Sequence, residues 1–185
     1  THYSKSKISN INQSFYEQMQ AWRSRDLDSH YLAFYIDGLH VKLKRDKRYQ
    51  NECFYIILGL KEDFTREVIA IVSFPSESST GWREVFTSLK DRGVHSVGLI
   101  VSDGIAGLES VIAEEFNQTP HQKCIVHLQR NLSKYVRRED KLELAEDFRQ
   151  VLSPDDSTYT TDQAYQSLVD FSNKWSKKYK ALGNY

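Results

Sequence analysis

A chain of 185 residues with 25 basic and 25 acidic side chains has no formal net charge, so its total charge argues for no polyanionic partner. Hydrophobic content of 39% and charged content of 27% are those of an ordinary globular chain, long enough for one core or for one core and part of another. The apolar runs are short and broken by charges, which excludes a span of about 20 apolar residues. "THYSKSKISN" lacks a signal-peptide core, and Cys53 and Cys124 are too few for a disulfide framework, so a cytoplasmic protein with no membrane partner is expected.

Residues 1–30 read as a polar helix with Ile8, Ile11, Phe15 and Met19 at helical spacing. The piece "SKSKISNI" admits two readings, the end of a DNA-binding helix-turn-helix or an ordinary leading helix. From residue 31 the period changes. "YLAFYID" alternates Leu32, Phe34 and Ile36 against Ala33, Tyr35 and Asp37, as a strand does. "ECFYIILGL" (52–60) and "EVIAIVSF" (67–74) are two further strands, and the polar turn between them makes an antiparallel hairpin. In "STGWREVFTSLKDRG", Trp82, Val85, Phe86 and Leu89 form one helical face, and Gly93 suits its end.

"SVGLIVSD" (96–103) is a continuous apolar run of strand length, the mark of a parallel strand covered on both faces. Leu108, Val111, Ile112 and Phe116 follow on one helical face, "HQKCIV" (121–126) is a fifth strand, and Leu128, Leu132, Tyr135 and Val136 mark another helix. Residues 31–138 therefore read as an α/β unit with a mixed five-stranded sheet and flanking helices. From 139 to 185 the strands stop. Leu142, Ala145, Phe148 and Leu152 share one helical face; Thr160 and Gln163 have capping-box spacing before a helix carrying Ala164, Leu168, Phe171 and Trp175. This stretch is expected to be part of a larger helical unit.

The charge is unevenly spread. Lys42, Lys44, Arg45, Lys47 and Arg48 stand against one acid in "KLKRDKR", and Arg130, Lys134, Arg137 and Arg138 lie within nine positions. Each cluster is either a phosphate contact on a neutral protein or solvated surface charge.

Two apolar runs end in Asp-Gly, at Asp37 and at Asp103. In a sheet made of a three-strand antiparallel meander followed by βαβα units, the fourth strand pairs parallel with the first. Asp37 and Asp103 then lie side by side at the carboxyl edge, where open α/β sheets place their sites. Two carboxylates that close repel each other unless a cation lies between them, and hard oxygen ligands favour Mg²⁺ or Mn²⁺. Two such ions about 3.5–4 Å apart serve phosphodiester cleavage. Singly, each aspartate has a plain structural reading: an Asp-Gly turn at either, or at Asp103 a cap for the helix near Ile105. Gly38 and Gly104 are expected to allow close backbone approach.

"YIDGLHVKLK", "VSDGIAGLESVI" and "QKCIVHLQRNLSKYV", in this order and spacing, resemble the Mutator-type transposases of bacterial insertion sequences, and "FSNKWSKKYKAL" is similar to that family's helical insertion. The resemblance runs from about Trp22 onward. It implies a ribonuclease H-like core with an Asp–Asp–Glu triad holding two divalent ions, which cuts and joins DNA at transposon ends and target, and a homo-oligomer in the complete, nucleoid-associated protein. Asp37 and Asp103 would be the first two triad members, and Lys42, Lys44, Arg45, Lys47, Arg48, Arg130 and Lys134 would contact DNA. The family's glutamate follows the insertion in a motif like Asn-Ala-Ile-Glu-Ser, which this sequence does not contain. Glu109, Glu114, Glu115, Glu143 and Glu146 do not stand in its place. The chain is therefore expected to be a piece of a transposase that binds metal weakly and cleaves poorly by itself, or else an inactive nucleic-acid-binding or assembly relic. Cys124 and His127 form the C-x-x-H pair that the family shares near the fifth strand. With too few ligands for zinc, they are expected to position the strand-to-helix turn near the site. His40 is expected to face solvent, and Trp82 and Trp175 to lie in the core, with base stacking as a minor alternative for Trp175. A small-molecule α/β enzyme is disfavoured by the lack of a phosphate-cradling glycine loop.

Overall fold

The computed structural model describes residues 4–45, 48–73, 79–152 and 157–184; Lys47 lies outside them, as does the side chain of Arg45. Contacts divide the chain into two compact units, residues 1–123 and 124–185, a division upstream of the boundary the sequence suggested after 138.

The first unit opens with helix α1 (Lys5–Ser24), whose N-cap Ser4 accepts a hydrogen bond from the Lys7 N–H. Its apolar stripe of Ile8, Ile11, Phe15 and Met19 is exposed. A two-residue strand β1 (His30–Tyr31) pairs in parallel with β5 (Ser96–Val97). The main sheet has the order β4-β3-β2-β6-β7, built from β2 (Ala33–Arg45), β3 (Arg48–Leu60), β4 (Arg66–Ser73), β6 (Ile100–Ser102) and β7 (His121–Lys123). β2, β3 and β4 form the antiparallel meander, and β6 and β7 add to it in parallel. The edge strand β4 is guarded: the Arg25 and Arg92 guanidinium groups donate to the carbonyls of Val68 and Ile69, at 2.9 and 3.0 Å.

One sheet face is covered by α2 (Ser79–Asp91) and α3 (Leu108–Glu115). Trp82, Val85, Phe86 and Leu89 from α2 and Leu108, Val111 and Ile112 from α3 pack with Phe34, Ile36, Tyr55 and Ile57, all buried. Aromatic edges interlock there, with Tyr55 to Trp82 at 5.0 Å and Phe86 to Phe116 at 5.2 Å. Gly93, at φ 112°, ends the α2 segment in the left-handed region, as the sequence predicts.

Two strands are shorter than the sequence suggests. The run 96–103 splits into β5 and β6 at Gly98, whose N–H donates to the Tyr31 carbonyl at 2.9 Å. There the chain changes partner from β1 to β2. The fifth strand stops at Lys123, because Cys124 becomes the N-cap of α4 (Ile125–Leu132) and its carbonyl accepts from Leu128; Ile125 and Val126 are helical.

The second unit holds α4, α5 (Lys141–Leu152) and α6 (Thr161–Lys178) around Leu132, Val136, Leu144, Phe148, Trp175 and Leu182. The capping box of Thr160 and Gln163 forms as expected. Trp175 is a core residue, its Nε1–H donating to Asp147 Oδ2 at 2.8 Å. The inward face of α5 is shifted from the expected one: Leu144, Phe148 and Val151 are buried, whereas Leu142 is 81% exposed. The reason is that both sets have helical spacing, and only packing selects between them. Among the described residues no helix is long and apolar enough to cross a membrane.

At Gly98 a Cβ would come within 2.7 Å of the Leu32 backbone oxygen, whereas at Gly104 it would meet nothing within 4 Å. Gly98→Ala is therefore expected to cost about 1–3 kcal/mol in a urea unfolding titration, because a backbone rather than a side chain must move. Gly104→Ala should stay within about 0.5 kcal/mol of the parent.

Candidate active site

β6 pairs with β2 in parallel through Phe34↔Ile100, Tyr35↔Val101 and Ile36↔Ser102. Asp37 and Asp103 are the next residues on each strand, so the ladder delivers two carboxylates to one edge of adjacent strands. In-register residues of a parallel pair share a face. Phe34 and Ile36 point into the core, so Asp37 stands on the opposite face with Tyr35 and Leu39, which are 41% and 52% exposed. Asp103 has the parity of Val101 and takes the same face.

The turn reading fails at Asp37 and the cap reading at Asp103, whereas Asp103-Gly104 does form a tight turn, the Ile105 N–H donating to the Asp103 carbonyl at 2.7 Å. Asp37-Gly38 is no turn, since β2 runs through it to Arg45. Asp103 caps no helix: α3 begins at Leu108 after Gly107, which makes no side-chain cap. Instead the two carboxylates are held alike. Asp37 Oδ1 accepts from the Gly38 N–H at 2.8 Å, and Asp103 Oδ1 accepts from the Gly104 N–H at 2.7 Å. These local bonds orient each side chain. At Gly104 the expected close approach is absent, the space beside it being open.

Behind Asp103 lies a cleft of about 540 Å³ lined by residues that include Asp103, Glu109, Ser110, His121 and Lys123. Ser102, 1% exposed, donates its hydroxyl proton to the Asp103 carbonyl at 2.9 Å and meets His121 Nε2 at 2.8 Å. A hydroxyl has one proton, so His121 Nε2–H must be the donor in the second bond. The Asp103 carbonyl also accepts from the Ile105 N–H at 2.7 Å. Two donors thus pin the peptide that carries this carboxylate. Neither Ser102 nor His121 was read as functional from sequence. The only signal was a polar serine inside the run "GLIVSD" and a histidine beginning a three-residue strand.

The other sequence candidates fall into two places. Lys42, Lys44 and Arg48 are exposed on β2 and β3, with His40 exposed beside them as expected. Cys124 and His127 lie in the second unit, one turn apart at the start of α4. Arg130 closes α4, where a cation suits the helix dipole, and Lys134 Nζ donates to Asn131 Oδ1 at 2.7 Å. Cys53 and Cys124 are free thiols. Among the described residues no three His, Cys, Asp or Glu side chains group as a metal site. A pair of carboxylates suits Mg²⁺, which is commonly held by one or two of them together with water and substrate phosphate.

These features define a mixed α/β protein with paired aspartates at the ends of adjacent parallel strands. The chain belongs to the Mutator family of transposases, whose family model matches residues 1–185. It is 30% identical over 181 residues to the transposase for insertion sequence element IS905 of Lactococcus lactis subsp. lactis (strain IL1403), covering 98% of this chain and 45% of that protein. It is 32% identical over 179 residues to the transposase for insertion sequence element IS1201 of Lactobacillus helveticus, covering 97% and 47%. The chain thus spans about half the length of these curated relatives. Among solved structures, a simian T-cell lymphotropic virus intasome in complex with PP2A regulatory subunit B56 gamma matches with TM-score 0.30 and 11% identity, over 77% of this chain and 48% of that one. A score that low assigns no fold.

Burial holds the His121 imidazole below its ordinary value; Lys123 acts in the same direction and Glu109 against it. The folded chain therefore binds this proton less readily than the unfolded chain. Stability from this group is full above about pH 6.5 and is lost as the pH falls below it. In urea titrations between about pH 7 and pH 5, the parent should lose stability that the His121→Gln variant, which keeps an N–H donor, does not lose.

Proposed function

We propose that this chain carries part of the catalytic core of a DNA transposase, of ribonuclease H-like fold, and that Asp37 and Asp103 are two of its metal-binding carboxylates. The observation that carries this reading is the in-register parallel pairing of β2 and β6, which ends at both aspartates on an exposed face. Membership of the Mutator family supports it.

The reaction is phosphodiester hydrolysis at a transposon end. Water adds to phosphorus and the bond to the 3′ oxygen breaks; the freed 3′-hydroxyl later attacks a target phosphodiester, joining to its 5′ side as the bond to the target's 3′ oxygen breaks and that oxygen leaves as a hydroxyl. Asp37 and Asp103 would hold Mg²⁺ or Mn²⁺, their side chains pre-set by the Gly38 and Gly104 N–H groups. Bound divalent ions supply activation of the attacking oxygen and stabilisation of the leaving one. The Ser102 and Ile105 donors keep the Asp103 peptide in place while substrate enters. Exposed Lys42, Lys44, Arg48, Arg130 and Lys134 offer cations to phosphate.

A second reading, a nucleic-acid-binding or assembly relic, is favoured by the lack of a third metal-ligating side chain beside the pair among the described residues. Two measurements separate them. Mn²⁺ titration of this chain, followed by loss of the free-ion spin-resonance signal, should show binding that Asp103→Asn abolishes. In the whole transposase, Asp37→Ala should retain end binding and lower nicking of end DNA by more than about 100-fold, beyond the cost of losing a ligand's outer partner. Retained nicking in that variant overturns the assignment.

A further inference from the structure

β2 does not stop at the site. Pairing with β6 ends at Ile36, and pairing of β3 with β4 reaches only Phe54, yet β2 and β3 stay paired out to Arg45 and Arg48. From His40 and Cys53 outward, the described residues form a two-stranded ribbon without a third strand. Alternation sorts its side chains into two faces. His40, Lys42 and Lys44 share one face with their cross-strand partners Cys53, Asn51 and Tyr49. Val41 and Leu43 share the other with Glu52 and Gln50.

The first face is cationic, aromatic and, among its described residues, free of carboxylates. Lys42 and Lys44 are exposed, Tyr49 is 73% exposed, and Lys44 Nζ lies 5.9 Å from the centre of the Tyr49 ring. That contact couples the Lys44 ammonium across the ribbon to the aromatic face of its cross-strand partner. Among the described residues the ribbon's acid, Glu52, is on the opposite face. Among the described residues, opposite charges are therefore separated onto the two faces of one hairpin.

We propose that this His40/Lys42/Lys44/Tyr49 face is a DNA arm, with Lys42 and Lys44 on phosphates of a duplex that passes on the side of the sheet opposite to Asp37, since alternation along β2 puts both lysines on the side of Phe34 and Ile36. The dimensions agree. Asp37 and Lys44 share one strand, so at about 3.3 Å per residue the arm reaches about 23 Å from the carboxylate, the length of about seven base pairs. A two-stranded ribbon also fits the major groove, about 12 Å wide. The inference rests on DNA being the substrate, as proposed above, and adds which part of the chain holds it and where.

The test is equilibrium binding of the 185-residue chain to a fluorescein-labelled duplex, read by anisotropy between about 50 and 200 mM KCl. Each phosphate-bound lysine contributes about 0.9 to the slope of log affinity against log salt, so Lys42→Ala with Lys44→Ala should lower that slope by about 2. Lys42→Arg with Lys44→Arg should keep the parent slope, and Gln50→Ala on the other face should leave it unchanged. A double alanine variant that binds with the parent slope overturns the arm while DNA remains the substrate. An arginine pair that fails to hold the slope also overturns it, since the effect is then one of folding rather than contact. A parent chain that binds no duplex at any salt overturns the arm and the DNA reading together.

Discussion

The short parallel ladder between β2 and β6 is the constraint on which the rest depends. Only Phe34, Tyr35 and Ile36 of β2 take part, against Ile100, Val101 and Ser102. A slip of one residue would send one aspartate to the core face, where an unpaired carboxylate cannot be tolerated. The register is held from both sides of the sheet. Phe34, Ile36 and Ile100 are sealed under α2 and α3, so a slip would expose them. Beyond β6, Ser102 bonds His121 on β7, which locks the next strand to the same step.

The chain entering β2, at β1, is fixed by polar contacts instead. The Tyr31 hydroxyl donates to Glu67 Oε1 at 2.7 Å, and Glu67 also receives Arg25 and Lys61. Burial and the neighbouring Glu67 carboxylate push the Tyr31 hydroxyl up to about 12, so it remains a donor throughout the physiological range. The strand is thus tied down before the core and released after Asp37, where it continues as the ribbon. Its single run passes from rigid packing, through the carboxylate, to an exposed cationic surface. A carboxylate at the end of the packed part has a fixed support, whereas an exposed cationic surface tolerates a less supported one.

Element type was largely legible because burial leaves a periodic imprint. Trp82, Val85, Phe86 and Leu89 had one-faced helical spacing and are all buried. The order of strands and helices follows from that imprint, and the parallel neighbour of the first strand from a meander followed by right-handed βαβ crossovers. Boundaries were less legible. Gly98 breaks a run that looked continuous because its partner changes there, which no local pattern reports. Ile125 and Val126 look like strand residues by type, yet the cap at Cys124 places them in a helix. In α5 two apolar sets with helical spacing, both containing Phe148, competed, and the structure buries Leu144 with Phe148 in the cluster that holds Trp175 while Leu142 stays exposed.

The sequence by itself determined that Asp37 and Asp103 close apolar runs in a mixed α/β chain, since their residue types and spacing are local facts. It also determined the family motifs and the two basic clusters. Only the tertiary structure decided that β2 continues past Asp37 and sorts Lys42 and Lys44 away from Glu52, because a strand's faces acquire meaning only when its partner sets the register. It alone brought Ser102 and His121 together, residues far apart in the chain that meet because β6 and β7 are neighbours. Long-range pairing carries that information, and a linear pattern does not.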